Sequence, residues 1–147
     1  MEHDFLEEGT VIVHGRSEGF AQQIAVGRHR LTSDEPASSG GTDTGPDPYG
    51  FLLAALGSCM SITVTMYARR KQWPLDGITV RLRHSKIHSS DCERCETADD
   101  LLDRIECDVE FTGVLTGAQR IRLLEIANRC PVHRTLTSEV EIRSGLA

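Results

Sequence analysis

The 147-residue chain lacks a surplus of positive charge: 22 acidic residues against 16 basic ones give a net charge of -6. A nucleic-acid surface needs clustered cations, so the balance argues against that partner and speaks mainly for solubility. The opening stretch, MEHDFLEEGT, is acidic and lacks the basic-then-apolar pattern of a secretory leader. A cytoplasmic location is expected, where thiols are held reduced. The chain has no phosphate-cradling glycine loop and no paired carboxylates at a useful spacing. It also has no internal repeat and no low-complexity tract. Its five cysteines are an odd number, so they cannot all pair within one chain. Attention therefore falls on individual thiols.

The hydrophobic fraction of 39% and the charged fraction of 26% are ordinary for a soluble globular chain. The length fits a single domain, residues 1–147, able to bury a core without staples. One stretch, Pro48 to Ala68, carries no charge and is long enough on paper to cross a membrane. Pro48 and Gly50 open it, and Gly57, Ser58, Ser61, Thr63 and Thr65 dilute it, so a buried helix is expected and no membrane.

Residues 1–31 read as N-terminal strands. GTVIVHG places Val11 and Val13 on one face, GRSEG is a turn, and FAQQIAVGRHRL holds a second strand with a third following. Residues 32–48, rich in Ser, Gly, Asp and Pro, form a long loop of the kind that is functional or disordered. From residue 49 to 147 the order is helix, strand, strand, helix, strand. The helix from Tyr49 to Gln72 would be about 35 Å long. Leu52, Leu53, Leu56, Cys59, Met60, Thr63, Met66 and Tyr67 fall at helical spacing, and Pro74 stops the helix. GITVRLRHSKI and LDRIECDVEFTG alternate as strands, which puts Cys107 on a core face. TGAQRIRLLEIANRC is an amphipathic helix capped by Thr116, with Ala118, Ile121, Leu124 and Ala127 as the expected buried stripe. TSEVEIRSG is the expected last strand. The fold class is α+β, helices on a largely antiparallel sheet.

Cys59 falls in the middle of the long helix, where the helix dipole gives a thiolate no help. It is either a buried, inert core residue or a reactive thiol served by a cation from elsewhere. Cys130, in NRCPVHRTL, sits where Pro131 can open a new helical turn and leave the cysteine as its cap. Amide groups there acidify a thiol, and Arg129, His133 and Arg134 are near in sequence; reactive and structural readings are both open. His84, His88, Cys92 and Cys95 spell H-x3-H-x3-C-x2-C, the composition of a zinc site, a redox pair or an incidental loop pair. Asp91, Glu93 and Glu96 around the cysteines would raise their thiol pKa values.

Two segments together are distinctive: GPDPYGFLLAALGSCMSITVTMYARRKQWPLDGITVRLRH and RIRLLEIANRCPVHRTL. They resemble the OsmC/Ohr family, the osmotically inducible and organic-hydroperoxide-resistance proteins. HSKIHSSDCERCET is similar to the OsmC-like branch. The resemblance runs from about Gly45 to Ile142. It implies largely antiparallel sheets wrapped around two long helices in an intertwined homodimer, with active sites at the subunit interface. It implies that Cys59 attacks a hydroperoxide and becomes a sulfenic acid, and that Cys130 closes a disulfide. A dithiol reductant, lipoyl-like, would reopen that disulfide. No cofactor is implied. Arg16 is the positional match to the arginine that activates the reactive thiol, with Arg28 and Arg30 as rivals. Leu52, Leu56, Met60 and Met66 would wall the site, and Tyr49 would join the substrate-binding residues. The hydroperoxidase branch carries Asn-Pro-Glu at the entry to this helix; this chain has Asp47, Pro48 and Tyr49. Asp47 or Glu18 are the available stand-ins for that carboxylate. The alternatives are a binding module with an apolar cavity for a small lipid-like ligand, and a zinc or redox sensor built on Cys92 and Cys95.

Overall fold

The computed structural model describes residues 7–92 and 101–147. The chain divides into two compact units inside its long helix, one ending at Leu52 and the other beginning at Leu53.

The first unit is an antiparallel meander of β1 (Val11–Gly15), β2 (Gln22–Val26) and β3 (His29–Ser33). The third strand left open by the sequence is present. Val26 faces His29 across a two-residue turn in which Gly27 has φ +53°, as hairpin turns of the primed types require. Arg30 folds back on that turn and donates to the Gly27 and His29 carbonyls at 2.9 and 3.0 Å. No residue of β1 is buried, although Val11, Ile12 and Val13 are all apolar.

The loop that follows is built around one carboxylate. Asp34 is buried and accepts bonds from the Thr42 and Thr44 hydroxyls at 2.6 and 2.7 Å. The Glu35, Thr42 and Thr44 amides add three more. Hydroxyl bonds to the ionised form come first in holding this carboxyl well below the usual range. The loop closes on itself where the Ser33 hydroxyl and the Asp34 amide both donate to the Pro46 carbonyl, at 3.0 and 3.2 Å. Gly45 is required there, because a Cβ would lie 2.1 Å from the Thr32 carbonyl oxygen. The expectation of a functional or disordered loop thus meets an ordered clamp that leads into the helix.

Helix α1 (Pro48–Lys71) has 24 residues. Asp47 caps it: its Oδ1 accepts from the Gly50 amide at 2.8 Å. At the other end Gln72 takes φ +56° and the Trp73 amide reaches back to the Ala68 carbonyl at 2.9 Å, the bond that closes a Schellman turn. The helix is long and apolar enough to cross a membrane by length and composition. Besides Gly57, its buried residues are Leu56, Met60, Val64 and Ala68, which recur every fourth position and form one stripe in the core.

In the second unit that stripe meets a long hairpin, β4 (Leu75–His88) paired antiparallel with β5 (Leu101–Gly113). Ile78, Val80 and Leu82 stand opposite Phe111, Val109 and Cys107, and all six belong to the same core cluster. The outer face carries exposed pairs such as Arg83–Asp108 at 3.0 Å, which contribute little. Gly57 lets α1 approach β4 closely: a Cβ there would lie 2.7 Å from Leu82 Cδ1. Helix α2 (Gly117–Ala127) opens with a full capping box between Thr116 and Gln119. It buries Leu123, Ile126 and Ala127 in the core. A short helix, α3 (Pro131–Leu136), follows directly with Pro131 at its start.

Three sequence expectations are corrected here. Met66, expected in the wall, is 66% exposed, because the buried stripe of α1 runs through positions 60, 64 and 68 instead. Ile121 and Leu124, expected on the buried face of α2, are exposed, because α2 carries two apolar stripes and the other one faces the core. TSEVEIRSG is not a strand: residues from Glu139 onward form no regular element, and Val140 and Ile142 lie exposed. Alternation alone does not make a strand without an edge to pair with.

Candidate active site

Cys59 stands at the middle of α1, one position before the fully buried Met60. Cys130 is the N-cap of α3 and is itself fully buried. Far apart in sequence, the two thiols are in side-chain hydrogen-bond contact. The local reasons are plain. Gly57 lets α1 settle onto Leu82, and Pro131 ends α2's path and turns the chain so that the cap side chain points back to its own helix. The His133 amide donates to Cys130 Sγ at 3.3 Å.

Burial pushes the Cys130 thiol up, the His133 amide partly offsets this, and the bond to Cys59 adds to the rise. Burial and the bond to Cys59 both favour the protonated form of Cys130. Both cysteines are free thiols, as is Cys107 on β5. Cys107 packs against the same core, and burial, then the neighbouring Asp108, pushes its thiol up as well.

Among the expected wall residues, Leu56 and Met60 are buried, Leu52 is half-buried and Tyr49 is exposed in the first turn of α1. A cavity of about 340 Å³ lies between α1, β5 and α3, with Leu56, Cys107 and His133 in its lining. Sequence reasoning missed this cavity, which draws on α1, β5 and the segment after α2.

The expected activating arginine belongs to the first unit. Arg16 follows β1 and lines a concavity of about 360 Å³ together with His14, Glu18, Ala21 and Gln23. Arg30, a rival, is engaged with its own turn. Asp47, one stand-in for the carboxylate that position 49 lacks, is engaged as the cap of α1. Glu18, the other, shares the concavity of Arg16.

Of the residues with zinc-site composition, His84 contacts Asp103 at 2.7 Å and lies on β4 with His88. Cys92 is disulfide-bonded, so its sulfur offers no thiolate to a metal in this state. Cys95 lies outside the described residues. Among the described residues no group of three His, Cys, Asp or Glu side chains is arranged to hold a metal.

No curated protein matches the chain. Solved structures do. An OsmC-like protein from Mycoplasma pneumoniae shares 18% identity over 86% of this chain and 85% of that one, with a TM-score of 0.68. The organic hydroperoxide resistance protein OhrB of Bacillus subtilis shares 18% over 90% and 92%, with a TM-score of 0.60. An organic hydroperoxide resistance protein from Elizabethkingia anophelis shares 16% over 89% of each, with a TM-score of 0.65. At these identities the likeness is one of fold, the mixed helix and antiparallel-sheet fold of OsmC and Ohr proteins. The family profile described as OsmC-like protein matches residues 41–144, a span that holds both thiols of the pair, and the chain belongs to that family.

Proposed function

We propose that this chain is a thiol-dependent peroxidase for organic hydroperoxides, working in the cytoplasm as a homodimer of single-domain subunits. The observation that carries the reading is the contact between the Cys59 and Cys130 thiols. Cys59, the less buried of the two, is the attacking sulfur, and Cys130, whose thiol burial pushes up, is the resolving one. Its thiolate displaces RO⁻ from ROOH, becomes a sulfenic acid, and the alkoxide leaves as ROH once protonated. The Cys130 thiol then condenses with that sulfenic acid, forming the disulfide and releasing water. A dithiol, lipoyl-like in its two-electron chemistry, reduces the disulfide and returns both thiols.

Arg16, supplied from a second copy, is the cation that stabilises the Cys59 thiolate. Exposed apolar residues support the dimer. Val11, Ile12 and Val13 on β1, Ile62 and Met66 on α1, and Ile121 on α2 are all uncovered in the single chain. Apolar surface of this extent marks an interface with another protein surface. Tyr49, Leu52, Leu56 and Met60 serve the substrate end of the site. The test is turnover of cumene hydroperoxide with a dithiol: Cys59→Ser should abolish it, and full turnover by that variant overturns the assignment. Arg16→Ala should slow it, and an unchanged rate moves the role to Arg28.

A further inference from the structure

We propose that Tyr67, Arg70, Lys71 and Arg122 together bind a phosphate group, free or as a monoester, at the C-terminal end of α1. The site does not rest on the peroxidase reading. Tyr67 lies about two turns past Cys59 on the same helix, about 12 Å along its axis.

Three cations converge on one ring. The Arg70 guanidinium carbon lies 5.4 Å from the Tyr67 ring centroid, the Lys71 ammonium 5.8 Å and the Arg122 guanidinium carbon 5.6 Å. A significant cation–π pair occurs about once per 70–80 residues, so three on a single phenol are a local concentration of charge. The dipole of α1 accounts for bases in its last turn. It does not account for Arg122, which arrives from α2 and donates from Nε to the Tyr67 hydroxyl at 3.2 Å. That bond, then the charges of Arg122, Lys71 and Arg70, pull the Tyr67 phenol below its usual value. Like charges held this close repel one another, and an anion seated among them relieves the repulsion.

The charge balance sets the ligand class. Among the described residues, Glu125 is the one carboxylate paired with any of the three cations, receiving Arg122 Nη1 at 2.8 Å. Two positive charges are left over, which matches a phosphate dianion. Arg70 and Lys71 are exposed and Tyr67 is half-buried, so the cluster is open to solvent. Guanidinium groups meet phosphate oxygens two at a time, and lysine adds a point charge. The Tyr67 hydroxyl accepts from Arg122 and keeps its own proton to donate. Trp73 meets Tyr67 edge to face, with centroids 5.6 Å apart, and sets an aromatic surface beside the cluster for the organic part of an ester.

Trp73 is the chain's one tryptophan, so its fluorescence reports on Tyr67. Inorganic phosphate and phenyl phosphate, titrated into the full chain at constant ionic strength, should each change its emission saturably. Calorimetry on the same samples measures the affinities directly and decides the matter if the emission stays constant. Acetate, with one charge, should bind about fivefold more weakly or worse, and chloride should give no saturable response. Arg70→Gln and Lys71→Gln, both at exposed positions, should each weaken phosphate binding about fivefold at low salt. Arg122→Gln should weaken it at least as much. Tighter binding of phenyl phosphate marks an ester as the ligand, and equal affinity marks free phosphate. No saturable phosphate binding, acetate binding as tight as phosphate, or unchanged affinity in either Arg70→Gln or Lys71→Gln overturns the proposal.

Discussion

One equivalent of cumene hydroperoxide is expected to stabilise the chain against heat, because the thiols it would join are already in contact. A disulfide between Cys59 and Cys130 closes a loop of roughly 70 residues, which by chain entropy constrains the unfolded state by about 4 kcal/mol at room temperature. Strain in the closed form would subtract from this, so the figure is an upper bound. For a chain of this size each kcal/mol raises the melting temperature by about 2–4 °C, so the ceiling is a rise of about 8–16 °C. Scanning calorimetry without reductant, before and after peroxide, gives the number. Cys59→Ser and Cys130→Ser should each show no rise. An unchanged melting temperature in oxidised wild type, or an equal rise in Cys130→Ser, would refute the pairing and direct attention to Cys107.

Three further outcomes follow from the same geometry. Cys130 is pushed up by burial, so its thiolate fraction grows about tenfold per pH unit through the neutral range. Disulfide closure should therefore be slow near neutral pH and faster at about pH 9, and a dimedone trap should capture more Cys59 sulfenic acid at the lower pH. Met60 is fully buried beside Cys59, and Met60→Ala should cost about 2–5 kcal/mol in urea unfolding. Asp34 is held below its usual range, so its stabilisation is present above the unfolded value of about 4 and is lost as pH falls below it. Asp34→Asn should lower the melting temperature near neutral pH and flatten the acid limb of the stability profile.

Much of the second unit was legible because its signals are local. Pro74 marked the end of α1, Thr116 marked the start of α2, and Pro131 marked Cys130 as a cap, as found. Period-two alternation placed β4, β5 and the inward face of Cys107. What failed was the choice between equivalent faces. The helix α2 has an apolar stripe through Ile121 and Leu124 and another through Leu123 and Ala127, and periodicity does not say which one meets the sheet. The Asp34 clamp was missed although Thr42 and Thr44 are spaced to present two hydroxyls together; nothing local says that the chain will fold back on them. The contact between Cys59 and Cys130 depends on how α1 and α3 pack, a long-range fact that no window of sequence contains.

The most direct test of the central claim is peptide mapping with intact mass, before and after one equivalent of cumene hydroperoxide. The account expects a new crosslink between the peptides bearing Cys59 and Cys130, with the loss of about two hydrogens that a disulfide requires. Oxidation confined to Cys107, or no change at Cys59 and Cys130, would contradict it.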